Sequence, residues 1–259
     1  MNHLKLSTHN GVHTITLARP EVRNAFNEAV IAELKQAFVQ VAQDVTVRCV
    51  VLAAEGSAFC AGADLNWMRR MADYTHAQNL ADAGELAAML HAIDQCPQPT
   101  IAQVQGDVYA GGLGLVAACD MAVSADTAQF CVSEVKIGLI PATISPYLIR
   151  AMGARAAHRY FLTAERFNAP EAHRLGLVHE VVSADTLQAK VDELTHHICT
   201  ASPNALRECK QLLHAVADRA ITPELIAHTV EGIAHIRASA EGKEGVQAFL
   251  QKRKPNWLI

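Results

Sequence analysis

Two short segments carry small residues where a backbone must come close to something: Phe59-Cys60-Ala61-Gly62-Ala63-Asp64 and Ala110-Gly111-Gly112-Leu113-Gly114. Each follows a run of strand-forming residues. A backbone N–H at the start of a helix is an unpaired donor that carries part of the helix dipole, so it can stabilise a developing oxyanion. Two such donors from separate loops would make an oxyanion hole. The competing reading is that the glycines only let helix and sheet pack closely. Phosphate chemistry fits less well, because G-x-x-x-x-G-K-[ST] is absent and the glycines around Gly111 do not form G-x-G-x-x-G at the end of a first βα unit. Neither a nucleoside triphosphate nor NAD is supported. Metal chemistry has no better footing. The seven cysteines are scattered without C-x-x-C spacing and read as reduced core thiols. The thirteen histidines lack H-E-x-x-H, and the His196-His197 pair has no companion ligands at metal-site spacing. They read as solvent-facing.

The elements that would position these segments can be read in outline. Leu4 to Thr8 and Val12 to Leu17 flank Asn10-Gly11, a dipeptide suited to a type I′ hairpin turn. Asn27 can cap a helix whose apolar positions Val30, Ile31, Leu34, Phe38 and Val41 recur at helical spacing. Cys49 to Ala53 is a continuous apolar run suited to a strand buried on both faces. Gly56 to Asp64 reads as a loop, and a broken helical region follows to about Cys96, ended by Pro97 and Pro99. Ile101–Val104 and Met121–Ser124 read as strands around a helix over Gly111–Cys119. Strand, glycine loop, helix and strand in repetition imply a parallel α/β arrangement. From Ala154 onward the pattern reads as helical throughout, interrupted by Gly176 and Pro203. Residues 1–195 are expected to form the main domain and 196–259 a helical C-terminal region.

Composition sets the outer bounds. With 259 residues, 51% hydrophobic and 19% charged, the chain can bury a sizeable core. A net charge of -4 gives no general attraction to phosphate backbones or anionic lipid. The start lacks an apolar targeting segment and no run is long enough to span a bilayer, so a cytoplasmic protein without membrane partners is expected.

The motifs in order carry more than any one of them. Arg19-Pro20, Arg23-Asn24-Ala25-Phe26-Asn27, Ala58-Phe59-Cys60-Ala61-Gly62-Ala63-Asp64-Leu65, and Gly111-Gly112 ahead of Cys119-Asp120 resemble the crotonase (enoyl-CoA hydratase/isomerase) superfamily. The likeness continues through Ser133-Glu134-Val135-Lys136-Ile137-Gly138, Leu162-Thr163-Ala164-Glu165, Gly176-Leu177-Val178 and Phe249-Leu250-Gln251-Lys252, covering nearly the whole chain. It implies a crotonase-like spiral of ββα units with a helical C-terminal trimerisation region. It also implies an acyl-CoA thioester as substrate, self-association as a trimer or hexamer, and no metal or redox cofactor.

Carried over residue by residue, the resemblance assigns the oxyanion hole to the amides of Ala63 and Gly111. Arg23, Ala25, Ala61, Gly62, Asp64, Leu65 and Gly112 fall where the family's loops hold coenzyme A, with Arg23 placed to meet phosphate charge. Phe249 and Lys252 fall near the coenzyme A of the same or a neighbouring subunit; apart from the resemblance, Lys252-Arg253-Lys254 is a solvated basic tail. Glu134 matches one of two hydratase glutamates. Without that context it would be an ordinary surface charge. The position of the second glutamate is Gly114, so either Glu134 handles both proton transfers or a group such as Ser145 helps hold the water.

The segments Ala110 to Leu115, Ser133 to Leu139 and Ile144-Ser145-Pro146 look most like bacterial hydratases of 3-methylglutaconyl-CoA in leucine breakdown, with isohexenylglutaconyl-CoA of terpene breakdown as the alternative. Arg69, Arg70 and Lys136 are candidate cations for a distal substrate carboxylate. A single-glutamate enoyl-CoA isomerase is the rival within catalysis. Outside catalysis stand an RNA-binding module, which the absence of a concentrated Lys/Arg helix or RNP-like aromatics disfavours, and a silent scaffold, which the retained Glu134 disfavours.

Overall fold

The chain opens with the expected hairpin: β1 (Leu4–His9) pairs antiparallel with β2 (Val12–Leu17), and Asn10 and Gly11 between them both take positive φ, 49° and 79°. These come from a computed structural model that describes residues 1–258. Asn27 caps α1 (Glu28–Ala42), its side chain accepting from the Val30 amide, and the spaced apolar residues of α1 are buried. After β3 (Cys49–Ala54) the chain repeats one unit: a long strand, a short strand, a helix. The units are β3 and β4 (Ala58–Cys60) with α2 (Leu65–Met71) and α3 (His76–Asp94), then β5 (Thr100–Val104) and β6 (Asp107–Tyr109) with α4 (Gly111–Ala118), then β7 (Met121–Ala125) and β8 (Gln129–Cys131) with α5 (Ser145–Thr163).

Each unit gives one strand to each of two sheets. The larger has the order β1-β2-β3-β5-β7-β10 and is parallel after the first hairpin; the smaller has the order β4-β6-β8-β9, closed by an antiparallel β8–β9 pair. This is a spiral of ββα turns. The short strands amend the sequence reading: β4 lies inside Gly56–Asp64, expected as a loop. Likewise β9 (Phe167–Asn168) and β10 (Glu180–Val182) flank α6 (Ala169–Arg174) in a region expected to be wholly helical. Two or three residues are too few to show a period of two, so only the pairing reveals them.

One core fills the space between the large sheet, α1, α3 and the small sheet, with Phe38, Phe59, Phe130 and Leu113 fully buried. A second lies on the other face of the large sheet, where Leu187, Val191 and Ile198 of α7 (Leu187–Thr200) meet Cys49, Val51, Ile101 and Val123. Because α7 runs unbroken across residues 195 and 196 and packs on the sheet, the expected boundary at 195 moves to its end. The helical region is then α8 (Pro203–Val216), α9 (Pro223–Ala238) and α10 (Ala240–Leu250). It is tied to the core by Lys210, which is buried and donates to Asp120 Oδ2 at 2.7 Å; that oxygen also accepts from the Thr100 amide.

All seven cysteines are free; five are buried as expected of core thiols, with burial pushing the Cys60 thiol up to about 12, whereas Cys199 is partly buried and Cys209 is exposed on α8. The histidines are less uniform than expected: His3 and His13 are partly buried, with burial lowering the His13 pKa, while His179 is exposed yet accepts from the Ala122 amide at 3.1 Å. No helix is long and apolar enough to cross a membrane. Among the described residues no group of three or more His, Cys, Asp or Glu side chains could hold a metal ion.

Candidate active site

The two glycine-rich segments meet. Phe26 and Ala63 form an isolated parallel bridge, with the Phe26 amide donating to Gly62 O at 2.9 Å and the Asp64 amide to Phe26 O at 2.9 Å. Gly62 turns the chain at φ 86°, a conformation open to glycine at little cost. These bonds leave the Ala63 amide without a protein acceptor among the described residues. The Gly111 amide, first in α4, is equally free, whereas the Ala110 amide before it is fixed on Cys131 O at 2.9 Å. A Cβ at Gly111 would lie 2.4 Å from Phe26 Cζ, and one at Gly112 would lie 2.8 Å from Cys60 O. Close packing and the pair of free amides are therefore one arrangement: the packing that demands glycine also brings the helix start up to the loop.

Both amides border a cavity of about 460 Å³. Three larger hollows, about 530, 570 and 580 Å³, lie elsewhere and touch neither amide. Glu134 borders the same cavity, on a 3-10 turn over Glu134–Ile137. Its Oε2 is buried with no hydrogen-bond partner, and burial raises its pKa above the ordinary carboxylate range. A partly desolvated carboxylate with one unpartnered oxygen, on the same cavity as two free amides, is suited to proton transfer beside a stabilised enolate.

Two free amides and a buried carboxylate oxygen on one cavity are the groups that thioester-enolate chemistry uses, and comparison with known proteins points to the same class of chemistry. The enoyl-CoA hydratase/isomerase family matches residues 7–258. The chain belongs to that family. It is similar to the crystal structure of an enoyl-CoA hydratase from Shewanella pealeana, with 44% identity, 98% of this chain and 96% of that chain covered, and a TM-score of 0.96. It is also similar to Pseudomonas aeruginosa AtuE, with 36% identity, 99% and 100% covered, and a TM-score of 0.95. Among characterised relatives, the 1,2-epoxyphenylacetyl-CoA isomerase of Escherichia coli is 32% identical over 252 residues, 95% of each chain.

For an enoyl-CoA hydratase/isomerase the remaining expected residues fall into three places. At the cavity are Ala61, Ala63, Leu65 and Gly111, with Leu65 largely exposed at its edge. In the frame behind it, Ala25 is buried and its carbonyl accepts from Arg19 at 2.8 Å. Asp64 caps α2 and accepts from Arg19 at 2.9 Å, bonds that tie the loop to the helix start. Arg23 lies between the two: its carbonyl accepts from the Ala61 amide at 3.0 Å, while its half-exposed guanidinium reaches Asp107 at 3.2 Å and sits 5.6 Å from the Tyr109 ring centre. Far from both, Phe249 at 83% exposure and Lys252 lie at the end of α10 and border no part of their own chain's cavity.

The two positions expected to hold water do not line the cavity. A Cβ at Gly114 would lie 2.4 Å from Ile144 Cγ2 and 3.3 Å from Leu90 Cδ2, so Ile144 occupies the space a second glutamate would need. The Ser145 hydroxyl donates to Ala142 O at 2.8 Å and closes the turn before α5. Sequence reading also missed one face of α3 that carries two polar residues onto the cavity. Asn79, Asp82, Ala83 and Leu86 all border the cavity, and their spacing of three, one and three marks one helical face. That spacing was visible in the sequence, but nothing in it said which face meets a ligand.

Proposed function

We propose that the protein is a hydratase that adds water reversibly across the 2,3 double bond of an enoyl-CoA, with Glu134 as the one acid–base group at the reacting carbons. The observation that carries this is the unpartnered, buried Glu134 oxygen sharing a cavity with two unpaired amides. In this reading the thioester carbonyl accepts from Ala63 and Gly111. Glu134 takes a proton from water as its oxygen attacks C3, the enolate forms, and Glu134 returns the proton to C2. With Ile144 filling the place of the second carboxylate, Glu134 alone orients the water.

The acyl group proposed is 3-methylglutaconyl, hydrated to 3-hydroxy-3-methylglutaryl-CoA in leucine breakdown, with isohexenylglutaconyl-CoA as the alternative. Its support is the resemblance of the segments around Gly111, Glu134 and Ile144. The cavity offers a distal carboxylate neutral donors, Asn79, Ser133 and Thr143. None of Arg69, Arg70 and Lys136 borders it, and Arg69 and Arg70 are bonded to Asn66 and Glu28. Isomerisation is the second reading, favoured by the single carboxylate at the reacting end. A trimer, alone or paired as a hexamer, is the proposed assembly.

The test is hydration of 3-methylglutaconyl-CoA, crotonyl-CoA and isohexenylglutaconyl-CoA, with a 3-enoyl-CoA for isomerisation, by wild type and Glu134→Gln. Turnover of the first that collapses in the variant supports the proposal. Double-bond migration without water addition replaces it with the isomerase, and no turnover of any thioester points to a silent scaffold.

A further inference from the structure

The cavity holds a second carboxylate that hydration does not use. Asp82 accepts a hydrogen bond from the Trp67 indole N–H at 3.2 Å through Oδ1, and Oδ2 accepts none among the described residues. Neighbouring contacts place it away from the thioester end. Phe26 packs on Gly111, Trp67 lies beyond Phe26 with ring centres 6.0 Å apart, and Asp82 lies beyond Trp67. The wall there is otherwise apolar, built from Met68, Met71, Ala83 and Leu86, with Asn79 one turn away on α3. The wall belongs to the same cavity as the Ala63 and Gly111 amides, so it is open to the tail of an acyl chain whose carbonyl rests on them.

No lysine or arginine borders the cavity to balance Asp82. The charged groups around it are spoken for. Glu28 at the start of α1 is held by Arg70 of α2 at 2.7 Å, and Glu85, one turn along α3, is paired with Lys35 of α1 at 2.5 Å. The remaining carboxyl on the cavity is Glu134. Burial first and the Glu28 charge after it raise the Asp82 pKa, against the indole hydrogen bond. Two carboxylates brought together in such a place do not both stay ionised.

From this arrangement we infer that Asp82 meets the tail of the bound acyl chain and sets its charge selectivity. A neutral tail binds with no change of protonation, whereas a carboxylate tail binds with one proton taken from solvent and held between the tail and Asp82. The inference rests on the thioester orientation proposed above and deepens it.

Unreactive saturated thioesters test it without turnover: butyryl- and hexanoyl-CoA as neutral tails, glutaryl- and adipyl-CoA as carboxylate tails. Calorimetric titration at neutral pH in two buffers of different ionisation enthalpy reads proton uptake directly. Wild type should take up about one proton with each carboxylate-tailed ligand and none with the neutral ones. Asp82→Asn, which can still accept from Trp67, should abolish the uptake and improve binding of carboxylate tails relative to neutral tails by about tenfold or more. Asp82→Ser should shift the ratio in the same direction. Absence of uptake in wild type, or an unchanged ratio in both variants, overturns the inference. Retained selectivity in a protein that hydrates nothing would remove the hydratase reading and leave this one standing.

Discussion

Glu134 is held in place by backbone, not by its carboxylate: the Leu139 amide donates to its carbonyl at 3.1 Å while Oε2 has no partner. Function and stability should therefore separate at this residue. Glu134→Gln is expected to lower kcat by about 10²–10⁴-fold. Burial raises the folded-state pKa, so the ionised form is disfavoured by folding. That penalty is absent below the unfolded-state pKa and grows as pH rises through the folded one. Melting scans at neutral pH should find the variant as stable as wild type or more so. In the wild type, kcat/KM should rise with pH along an acid limb displaced above the ordinary carboxylate range, and the limb should vanish in the variant. Gly114 gives a complementary prediction. Gly114→Ala overlaps Ile144 Cγ2 and should cost about 1–3 kcal/mol, and Ile144→Ala in the same chain should recover part of that loss in a denaturant double-mutant cycle. Motif order put Glu134 and the two amides forward as candidates that the structure brings to one cavity, and the absence at Gly114 was legible too. What replaces the missing side chain was not, because the contact with Ile144 spans 30 residues and belongs to packing between α4 and the turn before α5.

At the scale of elements, the loop over residues 19–27 sets the register of the Ala63 amide, one of the two proposed oxyanion donors. Asn24 is 2% exposed and ties that loop to β4. Its Nδ2 donates to Glu55 O at 2.7 Å and Ala58 O at 2.8 Å, and its Oδ1 accepts from the Arg19 amide at 2.9 Å. In Asn24→Ala, Ala58 O keeps a donor from Gln105, but Glu55 O and the Arg19 amide lose theirs. A loss of roughly 2–4 kcal/mol is expected by denaturant unfolding, at about 1–3 kcal/mol for each stranded group. A fall in kcat should accompany it, because the Phe26–Ala63 bridge hangs on the same loop. Little change in either quantity would show that the bridge alone holds the register. The Arg19-Pro20 and Arg23-Asn24 motifs marked this loop in the sequence as family-like. They did not reveal that Asn24, at φ 54°, is a latch, nor that the small sheet it reaches exists, since the strands of that sheet are two or three residues each.

On the scale of the molecule, one chain leaves a wide apolar face uncovered. Ile226, Val230 and Ile233 on α9 recur at i, i+4 and i+7, and Val246, Phe249 and Leu250 are exposed on α10, each at least 47% exposed. A face of this kind on a water-filled surface favours self-association, in line with the proposed trimer, and Val230→Asp with Ile233→Asp should give a monomer by sedimentation velocity. The same face carries the prediction about Phe249 and Lys252. Since neither borders its own cavity, their contribution to coenzyme A binding would have to be made across the interface. Phe249→Ala with Lys252→Ala should then raise KM for CoA thioesters several-fold with little change in kcat. Mixing subunits separates this from an effect within one chain. A Glu134→Gln chain with intact Phe249 and Lys252 is mixed, after dissociation and reassembly, with a Phe249→Ala/Lys252→Ala chain with intact Glu134. Sites that combine Glu134 of one chain with the tail of its neighbour should recover low-KM turnover that neither parent has, and activity equal to the average of the parents would place the tail's influence inside its own chain.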